Sequence, residues 1–278
     1  MEKKNILVYI FINLRYIFIL IILFFSFFLY FQKKRPKISI FIPIYNGENH
    51  IKKCIEKLQN QTLKDIEIIA VNDYSNDSTL NILTGLAKND TRIKIVNNDK
   101  NHGLLYSRAM GILNSSGEYV MNVDSDDEIN DIYCLEYLYN QTQVSKVDIL
   151  VFNVLFKYNN ATIKCGYNNR IILQPKLYKS NFWDNNLVKD YWIWNKLIKK
   201  NIFRKAYEDF KFAIYNGKWN YFEDDIWSIL VHKYARSKRC IDKLIYIYNN
   251  NKNSLMKTRF SNIIFKNLLY RHEMYKHL

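Results

Sequence analysis

The stretch "YVMNVDSDDEIND", residues 119–131, runs an apolar segment straight into Asp124, Ser125, Asp126, Asp127 and Glu128. Carboxylates this close repel one another and raise one another's pKa unless a positive charge sits among them. Asp124 and Asp126 are two apart, so in an extended segment both project to one side. Two hard oxygen donors facing the same way suit Mg2+ or Mn2+, which keep several waters and bind substrate phosphates. The chemistry would be a divalent cation holding a diphosphate. The plainer reading is an acidic loop that caps a helix starting near Glu128, with Asp127 no more than a cap.

Two further acidic motifs invite the same question. In "NDYSND" (72–77), Asp73 ends an apolar run and can accept hydrogen bonds from a nucleoside, whereas Asp77 or Asn76 reads as a helix N-cap. In "YFEDDIW" (221–227), Glu223, Asp224 and Asp225 open a helix, where the dipole favours acidic residues. One of the three could instead serve as general base toward a hydroxyl. The chain has no Gly-x-Gly-x-x-Gly and no Gly-x4-Gly-Lys-Ser/Thr loop, so phosphate charge falls to the metal and to side chains such as Arg108. Arg108 could equally be a solvated helix residue. No His-Glu-x-x-His or Gly-x-Ser-x-Gly occurs to support a zinc protease or an α/β-hydrolase.

The elements that must position these residues follow from periodicity. "ISIFI" (38–42), "IEIIAV" (66–71), "RIKIV" (92–96) and "EYVMNV" (118–123) read as buried strands. They alternate with helical spacing in 48–60, 77–89 and 103–115. Strand–helix alternation of this kind implies right-handed crossovers and a mostly parallel sheet flanked by helices. "PIYNGE", "NDYSND" and "DSDD" then fall at the carboxyl ends of separate strands, where open parallel sheets bind ligands. Beyond residue 147 the pattern loosens into further strands at 147–158, 161–165, 170–174 and 241–248. Residues 181–203 read as helical in two pieces, 223–235 as a helix, and 257–278 as a basic amphipathic helix.

The 278 residues are 49% hydrophobic, ample for a large core. The net charge of +15 is scattered without a long basic run or an RNA-binding motif, so nucleic acid is not an expected partner. Cys54, Cys134, Cys165 and Cys240 are far apart and imply neither a zinc site nor a disulfide framework. Residues 6–31 are apolar or aromatic except for Asn13, Arg15 and Ser26, long enough to span a bilayer as a signal anchor. Lys33, Lys34, Arg35 and Lys37 after it outnumber Lys3 and Lys4 before it, which favours a cytosolic catalytic domain and leaves a lumenal one open. The expected organisation is an anchor with basic flank (1–37), a domain (38–250) split near 130 into donor and acceptor halves, and a C-terminal helix (251–278).

With these residues in hand, the chain resembles family 2 glycosyltransferases of the GT-A fold. The matching stretches are "ISIFIPIYNGENHIKKCIEKLQNQT", "IEIIAVNDYSNDST" and "NHGLLYSRAMGILNSSGEYVMNVDSDDEI", and more loosely "NKLIKKNIF", "EDDIWS" and "YIYNNNKNSL". The resemblance implies inverting transfer of one sugar from a nucleotide-diphosphate donor to a glycan or lipid-linked acceptor. It assigns Pro43, Tyr45 and Glu48 to the first nucleotide-contacting loop, and Asp73 to the base- or ribose-binding aspartate, with Asp77 following. Asp124 and Asp126 match the Asp-x-Asp pair, Asp126 being preferred as direct metal ligand, and Ser125 and Arg108 join the donor-binding set. Asp224 best matches the catalytic base, with Asp225 and Glu223 as alternatives for that slot. Tyr74 stands where the family usually has a small or acidic residue, Ala109 replaces a frequent Asn, and the Gln-x-x-Arg-Trp motif of processive synthases is missing. The same fold without catalysis, as a nucleotide-sugar-binding protein, is the alternative.

Overall fold

The computed structural model describes residues 15–24, 35–158, 161–165, 170–173, 192–216 and 223–249. The chain divides into two units, Met1–Arg35 and Pro36–Leu278. In the first, residues 15–24 form a helix, α1. Among the described residues, no helix is long and apolar enough to cross a membrane. Most of the expected spanning segment 6–31 lies outside the described residues, as does the whole of the expected C-terminal helix.

The second unit alternates strand and helix as the periodicity implies. It runs β1 (Ile38–Ile44), α2 (Ile51–Gln59), β2 (Ile66–Asn72), α3 (Thr79–Asn89), β3 (Ile93–Asn97), α4 (Leu104–Asn114) and β4 (Tyr119–Asn122). After these come β5 (Glu128–Ile129), α5 (Cys134–Ser145), β6 (Ile149–Tyr158), β7 (Ala161–Cys165) and β8 (Arg170–Leu173). The described chain closes with β9 (Lys196–Lys199), α6 (Lys200–Asn216), α7 (Glu223–Tyr234) and β10 (Ser237–Asn249).

One sheet carries these strands in the order β3-β2-β1-β4-β9-β6-β10-β5, with β7 beside β6 and β8 beside β10. The expectation of a mostly parallel sheet is corrected to a mixed one. Pairs β1–β2, β2–β3, β1–β4 and β6–β10 are parallel, whereas β4–β9, β6–β9, β6–β7, β8–β10 and β5–β10 are antiparallel. Beyond β4 the sheet continues by antiparallel pairing through β9 to β6, and β10, reached after α6 and α7, pairs parallel with β6.

The helix expected near Glu128 is also corrected. Glu128 and Ile129 pair with Ile247 and Tyr246 of β10, so a strand contact distant in sequence overrides the local capping signal, and α5 starts only at Cys134. Likewise the expected helical piece ending at 203 begins as strand β9, which lies between β4 and β6. Leu197 and Ile198 are both buried on this two-faced sheet, leaving no alternation to distinguish strand from helix.

Helices cover both faces. Ile38, Ile40, Ile42 and Ile44 of β1 pack with Ile51, Cys54, Ile55 and Leu58 of α2, Leu83 of α3 and Leu135 of α5. Phe41 turns the other way, toward Leu105, Ala109 and Ile112 of α4, Phe203 of α6 and Trp227 of α7. Gly111 lets α4 approach β1 closely, since a Cβ there would lie 2.6 Å from the Phe41 ring. That approach sets Arg108, one turn earlier, beside the carboxyl end of β4.

Candidate active site

Three strand-end loops converge at the carboxyl edge of the parallel half. The first two are stitched together by reciprocal bonds. Glu48 N–H donates to Asp77 Oδ2 at 3.1 Å, and Ser78 N–H donates back to Glu48 Oε2 at 3.0 Å. Gly47 N–H donates to Thr79 Oγ1 (2.8 Å), and Asn46 N–H to Ser75 Oγ (3.0 Å). Asp77 Oδ1 also accepts from Thr79 N–H at 3.0 Å. The N-cap expected at Asp77 or Asn76 is corrected to Ser78, so Asp77 stands one residue before the cap of α3. Burial raises the Asp77 pKa, but its bonds from Thr79 and Glu48 outweigh this and hold it below the usual range. Pro43 is buried in β1 beyond its last pair with β4, where a missing N–H is tolerated. Tyr45 is exposed at the tip of the first loop.

Asp73 is buried at the end of β2, and both of its oxygens are engaged. Oδ1 accepts from Asn98 Nδ2 (2.8 Å) and His102 N–H (2.9 Å), and Oδ2 from Gly103 N–H (2.8 Å). It therefore holds the entry to α4, the helix that carries Arg108. Gly103, at φ 91°, occupies the left-handed backbone that this entry needs.

Arg108 is the cation among the carboxylates. Its side chain is 1% exposed, and it lies at the centre of a cage built by β4, the loop after it and α7. Nε donates to Asn122 Oδ1 (3.2 Å), Nη2 to Asp124 Oδ1 (3.1 Å) and Nη1 to Glu223 Oε1 (2.8 Å). Nη1 also pairs with Asp224 Oδ1. The planar fork of a guanidinium suits this divided recognition in a way a lysine ammonium does not. Burial disfavours the charged guanidinium, but Asp224, Asp124 and Glu223 outweigh it and raise the Arg108 pKa. One guanidinium cannot neutralise three carboxylates. Burial, with Glu223, Asp124 and Asp225 beside it, pushes Asp224 well above the usual range despite Arg108. Glu223 is raised too, chiefly by burial.

The acidic loop is held from its far side by β10. Tyr246 O–H donates to Asp127 Oδ2 (2.7 Å) and accepts from Asp124 N–H (3.1 Å). Asn249 N–H donates to Asp127 Oδ1 (2.8 Å), while its Nδ2 reaches Asp126 O (3.0 Å) and Glu128 Oε1 (3.1 Å). Lys53 Nζ pairs with Glu128 Oε1 at 2.6 Å. Asp127 therefore braces its own loop and caps no helix. Ser125 sits in the turn of this loop, against the first strand-end loop: a Cβ at Gly47 would lie 3.9 Å from its Oγ.

The structure thus brings Arg108, Asp124, Glu223 and Asp224 into direct contact and sets Asp126 on the adjoining turn. Asp225 is partly exposed on the same first turn of α7 and adds to the negative field at Asp224. Arg108, read as a phosphate-neutralising or a solvated residue, is buried among carboxylates, so the solvated reading is corrected. Asn122, Tyr246, Asn249 and Lys53 were not singled out from sequence; Tyr246 and Asn249 lie in the stretch "YIYNN", whose apolar periodicity shows only a strand.

Among the described residues, no group of three or more His, Cys, Asp or Glu side chains is placed to hold a metal by itself. On a loop with surplus negative charge, Asp124 and Asp126 would be the carboxylates to hold a hard cation shared with a ligand, while Asp124 Oδ1 already accepts from Arg108 Nη2 (3.1 Å) and Asn122 Nδ2 (2.8 Å). That surplus registers on its neighbours: Asp127 is raised well above its usual range by burial and then by Asp126 and Asp124.

Residues 39–207, more than half of the chain, match Glycosyl transferase family 2. The chain belongs to that family. It is 31% identical over 231 residues to the glycosyltransferase GlyA of Streptococcus pneumoniae, covering 80% of this chain and 32% of GlyA. It is 30% identical over 230 residues to the uncharacterized glycosyltransferase EpsJ of Bacillus subtilis, covering 79% of this chain and 63% of EpsJ. The chain thus spans less than two-thirds of the length of either relative. The crystal structure of S. aureus TarS 1-349 in complex with UDP-GlcNAc superposes with a TM-score of 0.63 at 20% identity. That match covers 81% of this chain and 62% of TarS 1-349, and it shows a shared fold.

Proposed function

We propose that this chain is an inverting glycosyltransferase that moves a single sugar from a nucleotide-diphosphate sugar to a glycan or lipid-linked acceptor. The observation that carries the reading is the Arg108 cage, which ties strand-end Asp124 to Asp224 on α7 through one buried guanidinium. A donor-side carboxylate and a candidate base are thereby held at one point. Family membership and the UDP-GlcNAc bound to the TarS fold support a nucleotide-sugar donor.

In the proposed step an acceptor hydroxyl attacks the anomeric carbon as Asp224 takes its proton. The bond from that carbon to the diphosphate oxygen breaks, and its electron pair leaves with the nucleoside diphosphate. A single displacement inverts the centre. A carboxylate raised by burial is suited to this role, because its pKa moves toward the working pH. Asp126 and Asp124 would hold Mg2+ or Mn2+, which when bound supplies charge neutralisation for the departing diphosphate. Arg108 fixes where Asp124 and Asp224 stand, and the Tyr246–Asn249 clamp fixes the loop that bears Asp126. The apolar segment 6–31, followed by basic residues, supports membrane attachment with the catalytic unit on the cytosolic side.

The test is release of nucleoside diphosphate from a panel of nucleotide sugars, with Mn2+, with Mg2+ and with EDTA. Metal-dependent release from one donor, lost in Asp126→Ala, is the expected result. Metal-dependent donor binding with no release in the presence of a glycan acceptor panel would favour the non-catalytic binding protein, and no binding of any donor would refute the reading.

A further inference from the structure

Asn122 ends β4 with a polar side chain where the strand is otherwise apolar. Tyr119, Val120 and Met121 before it are buried, and Asn122 itself is 1% exposed. An amide buried in this way is costly unless its hydrogen bonds are made. Both ends of this one are used. Oδ1 accepts from Arg108 Nε at 3.2 Å, and Nδ2 donates to Asp124 Oδ1 at 2.8 Å. A guanidinium offers donors alone and an ionised carboxylate acceptors alone, so the neighbours fix which way round the amide lies. The backbone beneath it is held as well: Asn122 pairs with Phe41, and Val123 N–H donates to Phe41 O at 3.0 Å.

These contacts divide Asp124 unevenly. Its Oδ1 accepts from Arg108 Nη2 (3.1 Å) as well as from Asn122, whereas Oδ2 lies 3.5 Å from Nη2. A guanidinium frequently grips a carboxylate with two parallel bonds, one to each oxygen. Here Nη1 is taken by Glu223 and Asp224, so the edge left for such a grip is Nε with Nη2. Asn122 occupies Nε and prevents it.

We propose that Asn122 is a positioning residue for the cation: by occupying Arg108 Nε and Asp124 Oδ1, it keeps Arg108 from closing over Asp124 Oδ2, the oxygen left to a divalent metal. This rests on the metal-diphosphate reading above and adds to it a residue that acts through Asp124. Without the amide, Nε and Nη2 take both oxygens, and the metal must compete with a buried guanidinium for them.

The experiment measures binding of UDP, GDP, CDP and ADP by calorimetry over a series of Mn2+ concentrations. It uses the full chain as wild type, Asn122→Leu, Asn122→Ala and Asn122→Asp. Removing a group that orients a metal-binding carboxylate costs about 10–100-fold in metal affinity. Leu and Ala both vacate Nε, and should raise the Mn2+ concentration for half-maximal binding about tenfold or more. Asn122→Asp still offers Nε an acceptor, and should stay within a few-fold of the wild-type value. Loss of folded chain lowers the number of binding sites without moving the Mn2+ dependence of those that remain, so a merely structural role is distinguished in the same titration. Wild-type Mn2+ dependence in Asn122→Leu or Asn122→Ala, or an equal shift in Asn122→Asp, would overturn the proposal. If no nucleoside diphosphate binds the wild type in a Mn2+-dependent way, the metal-diphosphate reading fails, and this inference with it.

Discussion

Replacing Arg108 by Met removes the one guanidinium in the cage and leaves its volume roughly filled. Asn122, Asp124, Glu223 and Asp224 all lose a partner, and Glu223 lies in a position with 8% side-chain exposure. Breaking a buried ion pair by deleting one member costs about 3–5 kcal/mol, because a charge is left without compensation. With a urea m-value near the upper end of the usual range, about 3 kcal/mol/M, the midpoint should fall by about 1–2 M. The pH dependence fixes the cause. Glu223 and Asp224 already have raised values in the folded protein, and removing Arg108 raises them further. A carboxyl with a raised folded pKa destabilises the fold above that value, and the deficit shrinks as pH falls toward the unfolded value of about 4. The gap between wild type and Arg108→Met should therefore be widest at neutral pH and narrow under acid. Neutralising the partners as well, with Glu223→Gln and Asp224→Asn, should recover part of the loss. An unchanged midpoint at pH 7, or a gap that widens as pH falls, would refute the cage as drawn.

Other expectations follow from single contacts. At the opposite end of the sheet, Glu67 accepts from Ser39 Oγ (2.5 Å), Ser116 N–H (2.5 Å) and Ser116 Oγ (2.8 Å), and pairs with Lys94. Burial pushes its pKa up, but these bonds outweigh it and lower it, so its contribution is present above the unfolded value and lost as pH falls through the folded one. Glu67→Gln should cost at least about 2 kcal/mol at pH 7 in urea melts, with the difference closing below pH 4. Gly111→Ala should cost about 1–3 kcal/mol by driving a methyl into the Phe41 ring, and should reduce activity through the displaced Arg108. Tyr246→Phe removes the hydroxyl that joins Asp127 to Asp124 N–H, and should lower kcat/KM for the donor about tenfold while near-UV circular dichroism keeps its native form.

Strand and helix order from 38 to 123 was legible because each crossover helix shows one apolar stripe and each strand a short, mostly apolar run rich in β-branched residues, with a single polar interruption. "PIYNGE", "NDYSND" and "DSDD" were legible as strand-end groups for the same reason, since parallel topology brings those ends together. What joins them was not. Nothing in the spacing of Arg108 distinguishes a solvated helix residue from the centre of a cage, because its partners Glu223 and Asp224 come from a helix more than a hundred positions away. The β5–β10 pairing is equally remote, and it turned a good capping signal at Glu128 into a strand. The Tyr246 and Asn249 clamp escaped notice because both residues sit in a stretch whose periodicity shows only a strand.

If Asp224 is the base that deprotonates the acceptor hydroxyl beside a donor bound at the same strand ends, Asp224→Asn tests that role most directly. Asn keeps the shape of the side chain beside Arg108, but it cannot take a proton. Donor binding and nucleoside diphosphate release should be measured on the same preparation. Binding within a few-fold of wild type with turnover at least about a hundredfold lower is the expected result. Turnover unchanged in Asp224→Asn would contradict the account.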